Sequence, residues 1–76
     1  MTIQILGTGC PKCKQLTANA EQAIRELGVS VEVEKVTDIK EIMKFGVMLT
    51  PGLAIDGELK SSGKVLSVGE IKKMIG

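Results

Sequence analysis

No histidine, tryptophan or tyrosine occurs among the 76 residues, Phe45 is the one aromatic side chain, and there are only two cysteines and two prolines. Each shortage narrows the possibilities. With so little aromatic volume the core must be aliphatic, and Ile, Leu and Val supply 22 residues for it. The two cysteines, Cys10 and Cys13, are too close in sequence to staple distant parts of the chain, so no disulfide framework holds the fold. Without histidine, a four-ligand zinc or iron–sulfur site would need a second chain to supply half its ligands. No apolar run approaches the roughly 18 residues of a membrane span, and Met1 to Leu6 shows no basic leader before a long apolar segment.

Charge of either sign is also in short supply once summed. Ten Lys and Arg stand against nine Asp and Glu, a formal +1, and the basic residues are scattered rather than striped. That balance argues against nucleic acid or an anionic membrane as the main partner. A chain of this length is expected to form one domain over residues 1–76, in which about 60% of the unfolded surface is buried. The expected compartment is the cytoplasm, where a lone cysteine pair is more often catalytic or metal-binding than structural.

What is present is organised around Cys10-Pro11-Lys12-Cys13. Ile3-Gln4-Ile5-Leu6 before it is a short apolar run, and Gly7-Thr8-Gly9 is a flexible break of the kind that ends strands. After it, Cys13, Leu16, Ala20, Ala23, Ile24 and Leu27 recur at helical spacing, with Gly28 as the stop. The spacing predicts a helix over 11–27, with Pro11 in its first position, where a missing N–H costs nothing. Its outer face, with Lys14, Gln15, Asn19, Glu21, Gln22, Arg25 and Glu26, is expected to be solvated surface.

These elements place the two sulfurs differently. Cys10 falls at the N-cap, near the unpaired N–H groups and the positive end of the helix dipole, which favour its thiolate. Cys13 falls on the apolar stripe and is expected to be buried. Lys12 and Lys14 add positive charge beside Cys10, and such surroundings lower a cysteine pKa from about 8.5 to between roughly 3.5 and 7.5. The chemistry expected is thiol–disulfide exchange, in which Cys10 attacks a target disulfide and Cys13 resolves the mixed disulfide. The alternative is a metal-binding or metal-delivery module, since a C-x-x-C also suits Cu(I) or zinc. Small copper chaperones, however, follow the order βαββαβ and end on a strand.

The rest of the chain decides between those orders. Residues 2–6 read as a central strand, apolar on both faces. Val29 to Glu34 alternates strictly and is expected as a parallel edge strand reached by a right-handed crossover. Thr37 or Asp38 caps a short helix through Phe45, with Ile39, Ile42 and Met43 inward and Gly46 as the stop. Leu53-Ala54-Ile55, Asp56-Gly57 and Glu58-Leu59-Lys60 read as a hairpin with a type I′ turn. Ser61 to Lys64 reads as a polar connection. Ser67 and Glu70 form a capping box, and Leu66 with Ile71 a staple, for a last helix over 68–75 whose Val68, Ile71 and Ile75 pack inward. Lys72 and Lys73 suit the dipole near its end. The expected fold is α/β, βαβαββα, a four-stranded mixed sheet of order 2-1-3-4 with helices on both faces.

That order, with the cysteine pair after the first strand and Thr50-Pro51 before the third, resembles the thioredoxin/glutaredoxin fold. The whole chain, including Gly7-Thr8-Gly9-Cys10, Pro51-Gly52-Leu53-Ala54, Asp56-Gly57 and Glu70-Ile71-Lys72-Lys73, is similar to the small redox-active disulfide proteins of archaea and bacteria, a minimal thioredoxin-like family. The resemblance implies catalysis by Cys10 and Cys13 as a redox-active disulfide, supported by Gly9, Pro11 and Lys12, with no other cofactor and no metal. It implies a cis bond at Thr50-Pro51 packed against the cysteine pair, where Thr50 pairs with an extended substrate segment. It also implies a monomer acting on a disulfide-containing protein, with a reductase or a low-molecular-weight thiol such as glutathione as electron donor. Gly9 stands where thioredoxins carry an aromatic residue, and Ser61-Ser62-Gly63-Lys64 where glutaredoxins carry a Gly-Gly-Cys-Asp-like stretch. Gln4 is the only polar residue inside the first strand, so no equivalent of the thioredoxin buried carboxylate is expected there.

Overall fold

Alternation along β1 (Thr2–Leu6) decides how the layers form. The computed structural model describes residues 1–9 and 11–76. Ile3 and Ile5 are buried on one side of the sheet with Leu16, Ala20 and Ala23 of α1 (Pro11–Leu27) and Ile71 and Ile75 of α3 (Val68–Ile75). Leu6 is buried on the other side with Ile42 of α2 (Ile39–Lys44), Val47 and Ala54. Successive strand residues point to opposite faces, so one strand serves two cores.

β1 lies inside the sheet. It runs parallel to β2 (Glu32–Val36) and antiparallel to β3 (Gly52–Ile55), which pairs in turn with β4 (Glu58–Ser62). The order is β2-β1-β3-β4, a mixed four-stranded sheet with helices on both faces, as expected. Asp56 and Gly57 both have positive φ, 50° and 85°, which is the primed turn a two-residue hairpin requires. The Ser67/Glu70 capping box is present, each backbone N–H donating 3.2 Å to the other's side chain.

Four expectations about local structure are corrected. The second strand begins at Glu32, not Val29, and extends to Val36, because β1 offers partners only from Thr2 to Leu6, opposite Glu32 to Val36. Hydrogen-bonding partners, rather than alternation, set a strand's ends. On α2 only Ile42 of the three expected inward residues is buried; Ile39 is 64% and Met43 68% exposed. A six-residue helix makes under two turns and presents little more than one position to the sheet. The connection expected at Ser61 is still β4, which runs to Ser62, and the Gly63 N–H then donates to the Pro51 carbonyl at 2.9 Å.

The outer face of α1 is not all solvated. The Asn19 side-chain amide donates to the Leu66 carbonyl at 2.8 Å. Nearby, Lys72 pairs with Glu26 at 3.0 Å, so it links α3 to α1 besides suiting the dipole. Gln22 first, then Lys72, hold the Glu26 carboxyl below its ordinary range. The helix that carries Cys13 is thereby tied to α3 by polar contacts as well as by the core.

Candidate active site

The site lies where β1 ends and α1 begins. Gly7 continues the β1–β2 pairing, its N–H donating to the Val36 carbonyl at 3.0 Å, and is buried. Gly9 has φ of 90°, a conformation that a residue with a Cβ adopts only with strain, and open space surrounds it. Pro11 and Lys12 open α1 and are exposed, as is Lys14. Cys10 lies outside the described residues, so its expected place at the N-cap is not part of this geometry.

Cys13, the third residue of α1, is 4% exposed. Burial of a first-turn residue follows from the helical stripe it shares with Leu16 and Ala20. Its carbonyl accepts from the Thr17 hydroxyl at 2.9 Å, one turn on, and Thr17 is itself buried. Its sulfur is packed against the backbone of Gly7: a Cβ built on Gly7 would overlap the Cys13 Sγ, would stand 3.3 Å from the Cys13 Cβ, and would meet the Thr50 Cβ at 3.8 Å. The end of β1, the first turn of α1 and the distant Thr50 therefore converge on one point. Thr50 is exposed, Pro51 is fully buried, and the peptide between them is cis.

Beside Cys13 on the β2 side of β1, a groove of about 260 Å³ runs from Gly7 and Gly9 past Cys13 and Lys14 to Lys35 and Thr37. Gln4, in the middle of β1, is not part of this site; its Oε1 accepts from the Gly57 N–H at 3.2 Å, at the hairpin turn.

Gly7 and Thr17 were not among the expected site residues. Gly7 is hidden inside a Gly-Thr-Gly stretch that reads simply as a chain break, and nothing local signals a sulfur closing on it. Thr17 could have been found, since it stands four residues after Cys13 and a threonine hydroxyl commonly returns to the carbonyl at that spacing. Among the described residues, no three His, Cys, Asp or Glu side chains converge as metal ligands, and no helix is long and apolar enough to cross a membrane.

Comparison with known proteins bears on this arrangement. The family model described as a thioredoxin domain matches residues 1–76. A thioredoxin of Methanothermobacter thermautotrophicus is 49% identical over 75 residues, covering 99% of this chain and 97% of its own length. A thioredoxin of Methanocaldococcus jannaschii is 48% identical over 73 residues, covering 96% of this chain and 84% of its own. A probable thioredoxin of M. thermautotrophicus is 30% identical over 57 residues, covering 71% of this chain and 67% of its own.

Proposed function

Because the chain belongs to the thioredoxin family of thiol–disulfide oxidoreductases, we propose that Cys10 and Cys13 are its redox couple, with Cys10 as the attacking and Cys13 as the resolving sulfur. The Cys10 thiolate attacks one sulfur of a protein disulfide; that S–S bond breaks, and the departing sulfur leaves with the electron pair and takes a proton from water. Cys13, having given its proton to water, attacks the Cys10 Sγ. The target's second sulfur leaves and is protonated, and a Cys10–Cys13 disulfide remains. Two electrons have passed to the target, and a reductase or a low-molecular-weight thiol returns them.

The burial of Cys13 carries this reading. A cysteine 4% exposed is shielded from an incoming protein disulfide yet stands in the first helical turn, three residues from Cys10. Such a sulfur is suited to an intramolecular second step rather than to first attack. Thr50, which shares the contact point at Gly7, supplies the backbone with which an extended substrate segment pairs. Lys12 and Lys14 favour the Cys10 thiolate by their charge, Pro11 opens the helix behind it, and Gly9 leaves the approach open. The near-balanced charge of +1 argues against nucleic acid or membrane as partner, and the protein works as a monomer in the cytoplasm.

The roles are tested with a peptide closed by a single disulfide. Cys10→Ser abolishes exchange, whereas Cys13→Ser accumulates a mixed disulfide with the peptide. Equal trapping by both variants overturns the assignment.

A further inference from the structure

Gly7 has no backbone reason to be glycine. Its φ lies outside the left-handed region that Gly9 occupies, so a residue with a side chain can adopt it. The reason is space: a Cβ there would overlap the Cys13 Sγ, while the same Cβ would stand 3.8 Å from the Thr50 Cβ, an ordinary van der Waals separation. The two sides of the contact are thus unequal. A methyl group at residue 7 displaces the sulfur and leaves Thr50 where it is.

We propose that Gly7 is a positioning residue for the resolving step: its missing side chain is the seat of the Cys13 sulfur, and it sets how fast Cys13 displaces the target from Cys10. This rests on the assignment of Cys13 as the resolving thiol. In that step the Cys13–Cys10 bond forms as the Cys10–target bond breaks, and the electron pair leaves on the target sulfur, which takes a proton from water. Displacement needs the attacking sulfur in line with the breaking bond. Filling the seat turns the Cys13 side chain to another rotamer, which takes the sulfur off that line. The first attack uses Cys10 and the Thr50 surface, and so it is spared.

The test is single-turnover exchange with the disulfide-closed peptide, quenched by alkylation and resolved by mass spectrometry, on the parent, Gly7→Ala and Ile71→Val, the last a stability control in the α3 core. In Gly7→Ala the mixed disulfide forms at the parental rate and persists about tenfold to a hundredfold longer, the scale on which a misplacement near 1 Å acts. In Ile71→Val both steps keep their parental rates. Parental resolution by Gly7→Ala, or a proportional slowing of both steps, overturns the proposal. Cys13→Ser is run in parallel: if it fails to trap the mixed disulfide, the role of Cys13 falls, whereas if it traps and Gly7→Ala resolves normally, only the role of Gly7 falls.

Stability supplies a second readout should Gly7→Ala fold poorly. Introduced together with Cys13→Ala, which removes the sulfur, Gly7→Ala loses most of its destabilising effect, so the two changes are strongly non-additive. Additive losses, or a failure to fold with and without the sulfur, show that residue 7 is not the seat of Sγ.

Discussion

The side-chain amide of Asn19 donates to the carbonyl of Leu66 over 2.8 Å, joining the middle of α1 to the residue that precedes the Ser67 cap of α3. The amide is oriented by Gln15, whose Nε2 donates to the Asn19 Oδ1 at 2.9 Å. Asn19→Ala is expected to cost about 1 kcal/mol, the usual net worth of such a bond, and Asn19→Asp more, because it sets a carboxylate against a carbonyl. Urea denaturation measures both; an unchanged midpoint in Asn19→Ala would show that the bond contributes nothing.

The capping box at α3 gives a pH-dependent prediction. Ser67→Ala is expected to cost about 1 kcal/mol at neutral pH. The Ser67 backbone N–H first, then the Ser67 side chain and Lys64, hold the Glu70 carboxyl below its ordinary range. A carboxyl with a lower pKa folded than unfolded favours the folded chain above the unfolded value, near 4.3, and that contribution fades as pH falls through the folded value. Thermal melts from pH 7 into this acid range should therefore fall less steeply for Glu70→Gln than for the parent. Parallel acid limbs would contradict the box.

On α2, burial and apolar character part company. Ile42→Ala is expected to cost about 2–4 kcal/mol as a core truncation. Met43→Ser, one position on and exposed, should stay within about 0.5 kcal/mol of the parent. A reversal of that order in guanidinium unfolding would mean that α2 packs on its other face.

Gly52 meets a different obstacle from Gly7. A Cβ there would stand 2.9 Å from Val47 Cγ2 and 3.4 Å from Leu6 Cδ1, both apolar atoms of the smaller core. Gly52→Ala should cost about 1–3 kcal/mol by overpacking, read as a lower melting temperature. A melting temperature equal to the parent's would show that Val47 yields without loss.

Much of this fold is legible in the residues, and the reason differs from element to element. Pro11 and Gly28 bracket α1, Ser67 with Glu70 opens α3, and Asp56-Gly57 turns the hairpin; each is a local steric or hydrogen-bonding demand that tertiary packing leaves in place. α2 is likewise opened by its Asp38 cap, whose side chain accepts from the Lys40 N–H at 2.8 Å, but β2 carries no such marker at its edges. Alternation from Val29 onward names a strand but not the register that ends it, and three apolar residues in a six-residue helix do not say which one the sheet has room for. At the site, helical spacing is enough to bury Cys13. The nearness of Thr50 came from family resemblance rather than from its neighbours, and the closure of Cys13 on Gly7 is a contact between two segments that no spacing encodes.

Cys10 and Cys13 are expected to act as one dithiol couple, and a redox titration tests that most directly. The purified protein is equilibrated in graded thiol/disulfide buffers, alkylated and weighed by mass spectrometry, with metal content assayed on the same sample. A single two-electron transition in metal-free protein, absent from Cys10→Ser, is the predicted result. Thiols that resist oxidation and copurify with stoichiometric zinc or copper would contradict it.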